Sequence, residues 1–201
     1  MWTKDLFRRN RVDKYITTPL TEDITKDLNA GDYVYLTGIL YTARDAAHKR
    51  LYDTILKGEK IPIDLKDITL YYLGPTPNRE NQVIGSAGPT TSSRMDKYTP
   101  LLLDMGLKGM IGKGKRSNEV IDSIMKNKGI YFAAVGGAGA LLSKRIISSK
   151  IIAYEDLGTE AIRELYVENF PIIVVIDSKG NNLYETAVKE YLNLSTKNSP
   201  N

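Results

Sequence analysis

Residues 33–42 read YVYLTGILYT, an apolar run rich in Tyr, Val, Leu and Ile that predicts a buried strand. The chain then goes directly into helix formers over residues 43–56, with Lys57-Gly58 as the stop. A strand feeding a helix through so short a connection constrains the fold, because repetition of this unit builds a layered α/β domain. The alternation does recur. IPID (61–64) and ITLYYLG (68–74) read as short strands, and PTPNREN (75–81) as a loop. Lys97 to Met105 has helical spacing and stops at Gly106. LKGMIGKG (107–114) reads as a strand entering a glycine turn. Ser117 caps a predicted helix, NEVIDSIMKNKG, with Val120, Ile121 and Ile124 on one face. IYFAAVGGAGALL (130–142) begins as a strand and enters a Gly-rich turn. SKIIAYEDLG (149–158) follows, and then IIVVID (172–177) as a strand, with Lys179-Gly180-Asn181-Asn182 where a hairpin would turn. The expected fold class is a single α/β domain whose mixed sheet is flanked by helices.

The expected boundaries are an N-terminal arm at 1–16, a domain at 17–192 and a disordered tail at 193–201. Apolar content of 42% and charged content of 26% suit a globular protein. The net charge of +4, from 28 basic and 24 acidic residues, suits an anionic small molecule without demanding one. No block of five or six like charges is present, which argues against nucleic acid. No stretch approaches 18 apolar residues and the N-terminus lacks an apolar core segment, so the expectation is a cytoplasmic chain without a membrane span. The chain has no cysteine and one histidine, His48. That excludes a disulfide framework, a thiol nucleophile and a thiolate metal site built by this chain alone.

Three polar clusters follow strand candidates: TARDAAHKR (42–50) after YVYLTGILY, GPTTSSRMD (88–96) after QVIGSA, and GKGKRS (112–117) after LKGMI. In open α/β sheets, ligand sites form beyond the carboxyl ends of strands, so the clusters are expected to converge. Together they offer Arg44, His48, Thr90, Thr91, Ser92, Ser93, Arg94, Lys113, Lys115 and Arg116. Guanidinium forks and hydroxyls in this mixture suit carboxylates or phosphates. Each cluster also has a plainer reading. Arg44 and Asp45 fit a charge pair on a solvated helix entry. A lone histidine is more often a structural hydrogen-bonder than a catalyst. The hydroxyls of 90–93 fit caps for a helix beginning near Arg94. Lys113, Lys115 and Arg116 fit a solvated turn, and GGAG (136–139) a tight turn rather than a dinucleotide loop.

The strings GPTTSSRMD, TARDAAH, GKGKRS and YFAAVGGAGALL (131–142), in their relative order, resemble the iron–sulfur-dependent hydro-lyases of the class I fumarate hydratase and L-tartrate dehydratase family. The likeness is to the β-subunit, which corresponds to the C-terminal domain of the single-chain enzymes, and it runs from about residue 17 to 190. It implies a swivelling β/β/α-type domain. It also implies a cluster-bearing α-subunit partner, in a heterodimer or heterotetramer, whose cysteines hold a [4Fe–4S] cluster. By the same resemblance Arg44, Arg94 and Lys113 are substrate-binding, and Thr90 and His48 belong to the catalytic set. Thr90 would face the abstracted proton, while Asp45 and Asp96 position their arginines.

The chemistry is coherent in its own terms. A dicarboxylic hydroxy acid carries two negative ends, and anti elimination of water requires both to be fixed. The function the resemblance implies is the β-subunit of a [4Fe–4S] hydro-lyase, with fumarate hydratase favoured as the commoner metabolic role rather than by any residue. The alternatives are an L-tartrate dehydratase β-subunit and a non-catalytic anion-binding assembly module.

Overall fold

The computed structural model describes residues 13–134 and 139–187. Most of the expected N-terminal arm, three residues of the GGAG turn and the tail lie outside them. The described part of the arm ends in a strand, β1 (Lys14–Thr17), followed by α1 (Glu22–Lys26). Next come β2 (Tyr33–Thr42), α2 (Asp45–Leu56) and β3 (Thr69–Tyr71). A 3-10 turn at Ser92–Met95 precedes α3 (Thr99–Asp104), β4 (Gly109–Gly112), α4 (Asn118–Asn127) and β5 (Ile130–Ala133). The chain then forms α5 (Gly139–Ser143), β6 (Ile146–Ala153), a kinked 3-10 segment at Glu155–Glu160 and β7 (Ile162–Ile176).

The sheet is mixed, and it closes on itself. Strands β1, β2, β3, β4 and β5 are successive parallel neighbours, β7 runs antiparallel to β5, and β7 also pairs antiparallel with β2. β6 lies antiparallel along the first part of β7. The fold is thus a barrel-like sheet with helices outside it, which matches the α/β, mixed-sheet expectation.

Side-chain alternation divides the sheet residues between two cores. Tyr71, Ile111, Ile130 and Phe132 join Leu36, Leu40, Val167, Phe170 and Val174 inside the closed sheet. Their chain neighbours Leu70, Tyr72, Met110 and Tyr131 face outward, where Ala47, Leu51, Leu102, Leu103, Val120 and Ile124 of the helices cover them. β3 and β4 are therefore buried on both faces and read as continuous apolar or small-residue runs. β2 buries alternate residues only.

Several expectations need correction. IPID forms no strand, and neither does QVIGSA. The Lys-Gly-Asn-Asn turn makes only an isolated bridge, Ile176 to Asn182, and residues 183–187 are helical rather than a returning strand. Asp177 explains the tight reversal, since its carboxylate accepts from the backbone N–H groups of Lys179 and Asn181. The strand ending at Ile176 also begins earlier than predicted, at Ile162.

Candidate functional site

The three polar clusters meet at the carboxyl ends of β2, β3 and β4. Ala43, just past β2, donates its N–H to Tyr71 O of β3 at 3.2 Å, and Tyr72 donates to Ile111 O of β4 at 2.9 Å. The GPTT stretch does not continue a strand. It returns to β3 from a long loop, where Thr90 N donates to Tyr72 O at 2.8 Å. It then reaches the β4 end, with Ser92 N donating to Lys113 O at 2.9 Å. Three segments far apart in sequence thus share one edge of the sheet.

The arginines there are linked by carboxylates. Arg94 Nε lies 3.2 Å from Asp45 Oδ1, and Arg94 Nη2 donates to Thr90 Oγ1. Arg44 Nη2 lies 3.6 Å from Asp45 Oδ2 and 3.5 Å from Glu160 Oε1. The other oxygen of Glu160 accepts from Ala46 N at 2.7 Å, which ties the 3-10 segment to the first turn of α2. Gly74 permits this arrangement: a Cβ there would stand 2.7 Å from both Cδ and Nη1 of Arg44. Lys113 is exposed at the rim, and among the described residues no side chain holds its ammonium. Arg44, Thr90, Arg94 and Lys113 are therefore gathered as expected. Glu160 and Gly74 were not anticipated, because neither belongs to a local motif.

His48 stands behind this group. It is 0% exposed, its Nδ1 lies 2.9 Å from Arg44 O, and its ring packs edge-on against Tyr72. As Arg44 O is an acceptor, Nδ1 carries the proton. Burial lowers the imidazole pKa to about 4; the Arg44 carbonyl opposes the shift and Arg116 adds to it. The ring is neutral at pH 7 and reaches the site through the Arg44 backbone.

Two plainer readings fail on the structure. Arg116 is not part of a solvated turn. It is buried, donates Nε to Asp96 at 2.7 Å and Nη2 to Thr99 Oγ1 at 2.8 Å, and lies over the rings of Tyr72 and Tyr131. Asp96 thus serves Arg116, together with Ser117 N at 2.7 Å, and not the adjacent Arg94. The hydroxyls of residues 90–93 do not cap the Ser92–Met95 turn either. Thr90 accepts from Arg94, and Ser92 turns into the interior. By contrast, Ser117 does cap α4, accepting from Val120 N.

No group of three or more His, Cys, Asp or Glu side chains converges on a metal-sized point among the described residues. The chain has no cysteine at all, so its residues do not fit a cysteine-held iron–sulfur cluster. No helix among the described residues is long and apolar enough to cross a membrane.

A family model described as the fumarase C-terminus matches residues 3–187. The chain belongs to the fumarase C-terminus family. Within it, the chain is 39% identical over 157 residues to "Fumarate hydratase class I, anaerobic" of Escherichia coli strain K12, covering 77% of this chain and 29% of that protein. It is 39% identical over 156 residues to "Fumarate hydratase 2" of Leishmania major, covering 77% and 28%. It is 37% identical over 185 residues to "Putative L(+)-tartrate dehydratase subunit beta" of Methanocaldococcus jannaschii, covering 88% and 94%. This fumarase C-terminus chain thus spans about a third or less of the hydratases it matches and nearly all of the tartrate dehydratase subunit. The resemblance seen in its motifs is upheld, and one of the relatives is itself named as a β-subunit.

Proposed function

We propose that this chain is the β-subunit of a hydro-lyase that interconverts fumarate and L-malate, and that it works with a separate cluster-bearing α-subunit. The observation that carries the reading is that the segments bearing Arg44, Arg94 and Lys113 meet at the carboxyl ends of β2, β3 and β4, with Arg94 donating to the Thr90 hydroxyl. The two guanidinium groups and the ammonium bind the two carboxylates of a four-carbon acid and fix its rotation about the central bond. Orientation of this kind contributes up to roughly 7–11 kcal/mol of barrier lowering in ideal cases.

Thr90 is the proton-transfer residue. A threonine hydroxyl is a poor base, and the Arg94 guanidinium beside its oxygen favours the deprotonated form. Asp45 holds Arg94 by Nε, leaving Nη1 for a substrate carboxylate. Glu160 holds Arg44 from the other side. His48 is a positioning residue, bonded to the Arg44 backbone from the interior. The [4Fe–4S] cluster implied by the family resemblance belongs to the partner subunit, since this chain has no cysteine with which to hold it.

L-tartrate is the second reading. The relative matched over 94% of its length is named as a tartrate dehydratase subunit, and the same three cations suit both diacids. Anaerobic reconstitution with a cluster-bearing subunit, assayed with L-malate, fumarate and L-tartrate, tests the proposal. The expected result is reversible conversion of malate and fumarate by the complex and none by this chain alone. Tartrate dehydration without malate turnover selects the second reading. Turnover by the isolated chain overturns the subunit assignment. Carboxylate binding without turnover of any substrate favours a non-catalytic anion-binding module.

A further inference from the structure

We infer that Ser92 and Tyr131 are positioning residues that set where Lys113 stands relative to Thr90 and Arg94; the inference rests on the function proposed for that site. Both side chains are fully buried and neither touches the open site. They connect through hydrogen bonds whose direction the donors dictate. Tyr131 Oη donates its only proton to Gly114 O at 2.9 Å. Ser92 Oγ, 2.9 Å from Tyr131 Oη, must therefore donate to it. The serine oxygen in turn accepts from Lys113 N at 3.1 Å. The chain of bonds begins at the backbone of Lys113 and ends at the backbone of Gly114, with each hydroxyl donating once and accepting once. A fourth bond, Ser92 N to Lys113 O, closes the serine onto the same turn.

The position of Ser92 in the chain gives this arrangement its consequence. It lies two residues after Thr90 and two before Arg94, so its bonds tie the Lys113 turn to the segment that carries the proton-transfer hydroxyl and a carboxylate-binding arginine. The serine stands against Gly112, where any Cβ would occupy the space of its Oγ. Tyr131 is held from its ring face by Arg116 at 5.0 Å, so it is a fixed post rather than a mobile one. Lys113 itself has no side-chain partner among the described residues. Its placement depends on its backbone, which these two hydroxyls help to fix from the buried side.

The test uses Ser92→Ala and Tyr131→Phe in the reconstituted complex, each removing one hydroxyl without adding volume. Lys113 binds a carboxylate that keeps its charge throughout the reaction, so its displacement weakens ground state and transition state alike. The expected result is a KM raised about tenfold with kcat changed less than about twofold in either variant. The double variant should match the single variants, because one break already disconnects the chain. Thr25→Val is the control. It removes a buried hydroxyl that donates to Lys128 O at 2.9 Å, near the opposite end of the strands, and it should lower the melting temperature with KM unchanged. Variants that melt earlier but keep the wild-type KM overturn the inference, as does a double variant whose KM effects multiply. A wild-type complex inactive on every substrate instead overturns the function proposed for the site, and the inference falls with it.

Discussion

Arg94 with Asp45 and Arg116 with Asp96 are the same chemical pair in opposite surroundings. Arg94 Nε meets its carboxylate at 3.2 Å, with side chains 46% and 37% exposed. Arg116 Nε meets its own at 2.7 Å, with side chains 0% and 13% exposed. Arg94 keeps Nη1 without a protein acceptor among the described residues, and water on its open side screens the pair. Its contacts are exchangeable, and an incoming carboxylate can join or displace Asp45. Arg116 is saturated by Asp96, Thr99, Tyr72 and two ring faces. It cannot release these partners, because each would be left desolvated. Burial therefore decides which arginine binds a ligand and which one fastens two loops.

That contrast is sharpest in its effect on stability. Arg116→Met keeps the aliphatic stem but strands the Asp96 carboxylate, and should cost about 3–5 kcal/mol in urea denaturation of the chain. A loss no larger than that of an exposed pair would erase the distinction. The next largest effect belongs to His48, whose ring feels one member of each pair, Arg116 and Asp45. Its folded pKa of about 4 is below the ordinary 6.5, so under acid conditions the unfolded chain binds a proton that the folded chain refuses. Stability should be unaffected by this group above pH 6.5 and fall as pH drops towards 4, by a total on the order of 3 kcal/mol. His48→Leu should flatten that part of the profile, and an identical slope in both proteins would remove His48 as its cause. Arg94→Lys loses the fork while keeping the charge. It should lower kcat/KM roughly 10- to 100-fold, the worth of a charge-assisted hydrogen bond, with the melting temperature nearly unchanged. Unchanged kinetics would remove Arg94 from the site, whereas a large loss of stability would make it resemble Arg116.

Much of this was legible in the sequence wherever the determinants are local. The strand at 33–42 needed only its apolar composition, and α4 only its serine cap and three spaced aliphatics. The convergence of Arg44, Thr90, Arg94 and Lys113 followed from polar clusters placed at strand ends, although one of the strands assumed does not exist. His48 as a structural hydrogen-bonder was among the readings the sequence offered. The burial of Arg116 was not legible, because it depends on the rings of Tyr72, just past β3, and Tyr131 of β5. Glu160 was invisible for the same reason: it meets α2 from across the fold. The early half of β7 was also missed. Its residues, IRELYVEN, bury only Ile162, Leu165 and Val167, so the composition is too polar to announce a strand.

The closure of the sheet by β7 also has a temporal meaning. β2 is made well before its partner: the strand that pairs with Tyr33 to Tyr41 includes Ile173 and lies far on along the chain. At roughly 5–20 residues per second of synthesis, the β2 edge waits several seconds for its partner. Until then the inward-facing Leu36 and Leu40 have only part of their final surroundings. Ring closure is a late, non-local event, the kind of contact that slows folding. A nascent chain halted before Ile162 should present an open, sticky edge to whatever chaperone or neighbouring polypeptide arrives first.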